Sequence, residues 1–146
     1  LTVEDQVRTL VNVRRHLAPG GKLIFNVFVP DLDVLMQENG MSRYTRDVTD
    51  PRTGTRYVLW NQSSFDNHNQ IMNTRMTIEK LDKAGVVAKK LYRDFQLRYV
   101  HRWEIHHLLR WCGYKVHDLF GDFDRAPFDE ASDEMIWVAA PVALEG

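Results

Sequence analysis

Hydrophobic positions recur along this chain with more than one period. Near the N-terminus Val3, Val7, Leu10, Val13 and Leu17 return every three or four residues, the spacing of one helix face. Thr2 stands where an N-cap belongs. Its partner three residues on is Asp5, where Glu or Gln is usual. Pro19-Gly20-Gly21 ends this helix, because Gly supplies positive φ and Pro cannot continue the ladder. Lys22 to Val29 (KLIFNVFV) is short, almost wholly apolar, and rich in β-branched and aromatic residues. Such a run predicts a strand covered on both faces, as in a parallel sheet flanked by helices. Pro30 and Asp31 break it. Asp31 to Asn39 is expected to form a short helix that Gly40 stops.

The texture then changes. Met41 to Gly54 is polar, with turn signals at Asp50-Pro51 and Thr53-Gly54. Tyr57 to Phe65, Gln70 to Leu81 and Val86 to Tyr99 each have strand composition, separated by the turns Asp66 to Asn69 and Asp82 to Gly85. In the third run Val87, Leu91, Phe95, Leu97 and Tyr99 share one parity, and Lys90, Asp94, Gln96 and Arg98 the other. This predicts an antiparallel meander with one packed face and one mixed face. Helical spacing returns from Arg102 to Cys112, where Trp103, Ile105, Leu108, Leu109 and Cys112 form a broad apolar face and Gly113 closes it. Tyr114 to Phe123 reads as a strand, Asp124 to Asp133 as an acidic loop, and Met135 to Ala140 as a buried strand ended by Pro141.

Bulk properties narrow the function classes. The 146 residues suffice for one domain with a hydrophobic core. A net charge of -1, without a basic stripe, gives no general case for nucleic acid or an anionic membrane. No apolar run approaches the roughly 20 residues that span a bilayer. One cysteine, Cys112, leaves no intramolecular disulfide and no cysteine-based zinc site, and it reads as a small apolar residue. A cytoplasmic protein fits these features. The first residue is Leu1, which suggests a processed or truncated product.

Taken in order, the elements resemble the C-terminal half of a class I S-adenosylmethionine-dependent methyltransferase of small-molecule type. Three places carry the resemblance. Leu17 to Phe25 matches the "L-x-P-G-G-x-L" turn into the fifth strand of that family. Cys112 to Val116 matches the "G-[FY]-x-V" entry into the sixth. Met135 to Ala139 matches the seventh, which inserts antiparallel between the other two. Gly121 to Asp129 resembles the link between the last two strands. The fold implied is α/β (α+β as a fragment): half of a Rossmann-like sheet in one domain, 1–146, with 41–100 as a variable antiparallel insertion. The glycine-rich cofactor loop of the family is missing, since no Gly-x-Gly-x-Gly element occurs and Gly20-Gly21 precedes a strand where the loop must follow one. The resemblance therefore implies a fragment: the acceptor-binding portion of a parent that uses S-adenosylmethionine, inactive alone, with no cofactor-binding residues of its own.

In this family acceptor pockets form above the carboxyl ends of the strands and from the insertion. That implies Asn26, Phe28 and Pro30 at the strand end, Tyr44, Tyr57 and Trp60 in the insertion, and Arg98, Tyr99 and His101 where the chain returns. Phe28, Tyr44, Tyr57, Trp60, Arg98, Tyr99 and His101 are the substrate-binding candidates; the catalytic base, if one exists, is unassigned. Each has a bland reading as core or solvated sheet, and for Arg98 the equal alternative is an ion pair with Asp94 or Glu104. His101, His106 and His107 lack metal-ligand spacing, and the acids from Asp122 to Glu134 lack calcium-loop spacing. The implied partner is a small-molecule methyl acceptor. A second consequence is self-association through the exposed strand edge 22–29, because unpaired apolar edges invite pairing. The alternative is a self-contained α+β ligand-binding or interaction module without catalysis, which the four Trp, five Tyr and seven Phe suit equally.

Overall fold

The computed structural model describes residues 2–36 and 40–142. In chain order the elements are α1 (Val3–His16), β1 (Leu23–Phe28), α2 (Leu32–Leu35), β2 (Ser42–Thr49), β3 (Arg56–Asp66), β4 (Ile71–Leu81), β5 (Val87–Arg98), α3 (Arg102–Trp111), β6 (Tyr114–Phe120) and β7 (Glu134–Pro141). They fall into two compact units, Leu1–Asp31 with Tyr99–Gly146, and Leu32–Arg98.

The first unit holds a three-stranded sheet in the order β1-β7-β6, with β7 antiparallel to both neighbours. The last strand thus inserts between the other two, as the resemblance implied. Met135, Trp137 and Ala139 of β7 share a face and join Ile105 and Leu109 of α3, Cys112 just after it and Tyr114 of β6 in one buried cluster. Val7, Leu10 and Val11 of α1 pack onto it. Helix α1 begins in a reciprocal cap: Thr2 Oγ1 accepts from the Asp5 N–H and Asp5 Oδ2 accepts from the Thr2 N–H, each at 3.2 Å. Asp5 therefore does here what Glu usually does. Two hydrogen bonds then tie α1 to the turn after α3. Tyr114 Oη donates to the Leu10 carbonyl at 2.9 Å, and Arg14 Nη1 donates to the Cys112 carbonyl at 3.2 Å.

Two expectations need correction. Strand β1 is not covered on both faces. Leu23, Phe25 and Val27 are half-buried against the core, whereas Ile24, Asn26 and Phe28 are exposed, Ile24 by 63%. The reason is that α1 and α3, the helices of this unit, pack on the same side of the sheet. The reverse side holds a cavity of about 330 Å³ that Ile24, Phe120, Phe123, Ile136 and Val138 help to line. Trp103 is likewise not part of the core. It is 59% exposed, with the Arg102 guanidinium 4.8 Å from its ring centre. Burial on α3 follows Ile105, Leu109 and Cys112, and two residues before Ile105 lies about 200° around the helix.

The second unit is a four-stranded antiparallel sheet in sequential order, β2-β3-β4-β5. Strands β3 to β5 match the three runs read from the sequence to within about two residues, and their turns fall where expected. Strand β2 arises in the polar Met41 to Gly54 stretch. Every residue of it is exposed, so no buried parity marks it. It is an edge strand carrying Arg43 and Arg46 with a register shift between Tyr44 and Arg46, features that discourage pairing with another chain. Helix α2 is shorter than expected; Gln37 to Asn39 lie outside the described residues. Strand β6 ends at Phe120, before the expected Phe123. Asp122 Oδ1 accepts from the Asp124 and Ala126 N–H groups at 2.9 Å and turns the chain into the acidic loop.

Gly113 leaves no room for a side chain. Its φ is +81°, and a Cβ there would run into the Arg14 guanidinium. Gly113→Ala should lower stability by about 1–2 kcal/mol from the left-handed backbone alone. Urea unfolding checks this, and an unchanged midpoint would contradict the account.

Candidate functional site

Register decides which side chains of the meander share a face. Trp60, Thr77 and Tyr92 form one cross-strand row, with Tyr44 opposite Trp60. Two residues along, Gln62, Arg75 and Asp94 form the next row on that face, and Ser64, Asn73 and Gln96 the one after. The rows between them point the other way: Leu59, Ile78 and Leu91; then Asn61, Met76 and Arg93; then Ser63, Thr74 and Phe95. The reverse face is therefore largely apolar, and the first face is polar and aromatic.

The polar face is internally bonded. Asp94 accepts from Arg75 Nε at 2.8 Å and from Nη2 at 2.9 Å, a two-point pair. Gln96 Nε2 donates to Asn73 Oδ1 at 2.6 Å. Glu79 accepts from Trp60 Nε1 at 3.0 Å and from Lys90 Nζ at 2.7 Å. The ring of Tyr44 meets that of Trp60 edge-on at 5.8 Å, and the Arg75 guanidinium lies 5.9 Å from the Tyr92 ring centre. The Lys90 and Trp60 hydrogen bonds hold the Glu79 carboxyl below the ordinary glutamate range, and Arg75 does the same to Asp94. A cavity of about 430 Å³ is lined by Gln62, Ser64, Asn73, Arg75, Asp94 and Gln96, and also by Gly40, Ser63, Thr74 and Phe95.

The structure brings some of the expected site residues together and separates others. Tyr44 and Trp60 are in contact on the polar face. Tyr57, three residues before Trp60, points to the reverse face. Arg98 lies on the polar face in the row beyond Gln96; it pairs with neither Asp94, which Arg75 holds, nor Glu104. Its Nη1 donates to the Asn69 carbonyl at 3.2 Å and its Nη2 to Gln70 Oε1 at 3.4 Å. In the other unit Tyr99 is buried at 3% exposure and meets the His101 ring edge-on at 6.0 Å. His101 precedes α3, and its N–H donates to Glu104 Oε2 at 3.3 Å. Phe28 stands at the exposed side of β1, two residues after Asn26, whose Nδ2 donates to Glu134 Oε2 at 3.1 Å. Cys112 is buried, and desolvation raises its thiol pKa, so it is an inert core residue. Among the described residues no group of three His, Cys, Asp or Glu side chains could hold a metal ion, and no helix is long and apolar enough to cross a membrane. Arg75, Asn73 and Gln96 escaped the sequence reading as cavity residues, although the polar parity of β5 already placed Asp94, Gln96 and Arg98 side by side.

No family model and no curated protein sequence matches the chain. Solved structures do. The CcbJ methyltransferase of Streptomyces caelestis superposes with a TM-score of 0.74 at 21% identity, over 98% of this chain and 52% of that one. The fold is that of an S-adenosylmethionine-dependent methyltransferase. A methyltransferase of this kind from Clostridium acetobutylicum gives a TM-score of 0.74 at 13% identity, over 97% and 53%. The amino pentose methyltransferase CalS10 of Micromonospora echinaspora gives 0.67 at 17%, over 97% and 52%. The chain thus spans about half the length of the methyltransferases it matches.

The Glu79 cluster has a pH signature. A carboxyl held low in the folded state contributes stability that is fully present above its unfolded pKa. That contribution is lost as pH falls through the folded value. The meander should therefore loosen below the ordinary carboxylate range, and Glu79→Gln should make that acid limb shallower in far-UV circular dichroism. An acid limb of equal steepness in the variant would remove Glu79 from the account.

Proposed function

We propose that this chain is the C-terminal, acceptor-binding portion of an S-adenosylmethionine-dependent methyltransferase acting on a small molecule. It comprises half of a Rossmann-like sheet in one domain, with 41–100 as the variable insertion. The observation that carries the reading is the antiparallel placement of β7 between β1 and β6, in a chain that matches about half of each methyltransferase at TM-scores up to 0.74. In methyl transfer the protein mostly positions the acceptor for in-line displacement and sometimes supplies a base. The polar face of the meander supports the positioning role: Tyr44 and Trp60 give an aromatic wall beside a row of amides. Phe28, Tyr99, His101 and Tyr57 are proposed acceptor contacts on the family resemblance alone; Tyr57 faces away from the Tyr44–Trp60 wall and does not share it. Structural neighbours described as an amino pentose methyltransferase and a sugar N-methyltransferase support a small polar acceptor.

The residues present do not fit the cofactor. Gly20-Gly21 sits before β1, and no glycine-rich turn follows any described strand. The methyl donor therefore belongs to the remainder of a longer polypeptide, working in the cytoplasm, and the piece alone should be inactive. The reading frame upstream of the Leu1 codon tests this. Roughly 80 to 100 further in-frame codons should encode a strand, a glycine-rich turn and a helix. The longer chain should bind S-adenosylmethionine by calorimetry while residues 1–146 do not. A start codon directly before Leu1 would instead favour a self-contained α+β binding module.

A corollary concerns β1, which ends its sheet and leaves Ile24 and Phe28 exposed. Residues 1–146 should self-associate through this edge. Ile24→Lys should shift sedimentation equilibrium toward monomer; a wild-type chain that stays monomeric at high concentration would rule the association out.

A further inference from the structure

The register of the meander sorts its charges by face. Four acids lie on β2 to β5, and all four are on the polar face: Asp47, Asp66, Glu79 and Asp94. Three of them meet cations there, Asp47 with Arg56 at 3.6 Å, Glu79 with Lys90 at 2.7 Å and Asp94 with Arg75 at 2.8 Å. Asp66 spends both oxygens on Asn69 in its own turn. The reverse face carries no acid from these strands. It carries five cations: Arg43 and Arg46 of β2, Lys80 of β4, and Lys89 and Arg93 of β5. All five are exposed, and none makes an ion pair among the described residues.

These cations ring an aliphatic centre. Leu59, Ile78 and Leu91 share one cross-strand row, with Arg46 at its β2 end. Met76 lies in the next row between Asn61 and Arg93, with Arg43 at the β2 end. On the other side of the Leu59 row, Lys80 and Lys89 stand directly opposite each other. Like charges at opposed positions cost stability in the bare sheet, and an acid laid over them removes that cost. Rows lie about 7 Å apart and strands about 4.8 Å apart, so the patch spans about 14 Å each way, or about 200 Å². A standard protein interface covers about 800 Å² on each partner, so a patch of this size suits a short segment. No basic stripe runs along the sequence, because the five cations come from three strands.

We propose that the reverse face of the meander docks a short acidic segment of a partner protein. Its aliphatic side chains rest on Leu59, Met76, Ile78 and Leu91, and its carboxylates meet the surrounding cations. Charge decides the occupant. A second copy stacked on this face would set five cations against five, which repels. A bilayer surface needs apolar side chains that stand proud of the cations. Here the cations are exposed and the aliphatic centre is half-buried. Single-stranded nucleic acid needs rings on which bases stack, and the two rows of the aliphatic centre hold none. The inference does not rest on the acceptor-binding reading, which draws on the polar face.

The methyl resonances of Leu59, Met76, Ile78 and Leu91 in carbon–proton correlation spectra read the face directly, on residues 1–146. The probe is a synthetic amphipathic peptide of about 14 residues, with Leu on one helix face and Glu flanking it. Titration should move these methyls along a saturating curve while those of Leu109 and Met135 stay put. The same peptide with Gln for Glu should bind about tenfold more weakly or worse, since several exposed ion pairs are lost together. Combining Lys80→Glu, Lys89→Glu and Arg93→Glu should abolish binding of the acidic peptide and create binding of its counterpart with Lys for Glu. If that variant does not fold, Arg43→Gln with Arg46→Gln on the edge strand keeps the test decisive, and it too should weaken the acidic peptide. Failure to saturate, or equal binding of the Glu and Gln peptides, overturns the proposal. A stronger response to phosphatidylserine vesicles or to a single-stranded oligonucleotide than to the peptide also overturns it, in favour of a membrane or a nucleic acid. Methyl shifts that grow with protein concentration alone overturn it in favour of a second copy.

Discussion

The first unit depends on β7. It is the only strand of its sheet with hydrogen-bonded partners on both sides, and Met135 to Ala139 are buried on both faces in succession. Without it β1 and β6 have no partner, because each pairs with β7 alone. The helices depend on it as well. Leu109 at 0% and Ile105 at 4% exposure sit in the cluster that Met135, Trp137 and Ala139 complete. β7 thus organises elements that precede it, and its pairings with β1 and β6 join residues far apart in sequence. Such long-range closure costs more chain entropy than local contacts do, so the unit is expected to form late and as a whole.

The link from α1 to the turn between α3 and β6 is polar. Tyr114 is almost fully buried, yet its hydroxyl must find an acceptor, and it takes the Leu10 carbonyl. Arg14 caps the end of α3 through the Cys112 carbonyl, which would otherwise lack an intrahelical donor. Gly113 makes both bonds possible. It turns the chain with positive φ and leaves room where the Arg14 guanidinium lies. One residue thus serves backbone conformation and side-chain clearance together.

What was legible in the sequence follows from how burial writes itself into composition. Strands β3, β4 and β5 were readable because one parity of each meets an apolar face, and their turns carry Asp, Asn and Gly. Strand β2 was not, since a wholly exposed edge leaves no alternation. Trp103 misled because an aromatic at helical spacing looks like core when the stripe beside it is real. At the candidate site the parity of Asp94, Gln96 and Arg98 was legible, and so were the aromatics Tyr44 and Trp60. Which cation meets which carboxylate was not. Arg75 and Asp94 are nineteen positions apart in sequence and meet only through the β4–β5 register. For the same reason the gathering of five cations on the reverse face could not be foreseen.

The misreading of β1 differs in kind. Its composition is that of a strand with two covered faces, whereas the structure covers one. Exposed strand positions ordinarily carry polar residues, because an isolated sheet with one wet face alternates apolar and polar. In β1 two of the three outward positions are Ile24 and Phe28. Asn26 between them is tied to Glu134. Beside them Ile136 and Val138 of β7 are already buried, at 8% exposure each. Ile24 and Phe28 are costly where water reaches them and favourable under a further layer. A sequence adjusted to the covering seen here would place polar groups at 24 and 28. The mismatch between what β1 is made of and what covers it is what the proposed reading expects, since that reading assigns the missing layer to the remainder of a longer chain.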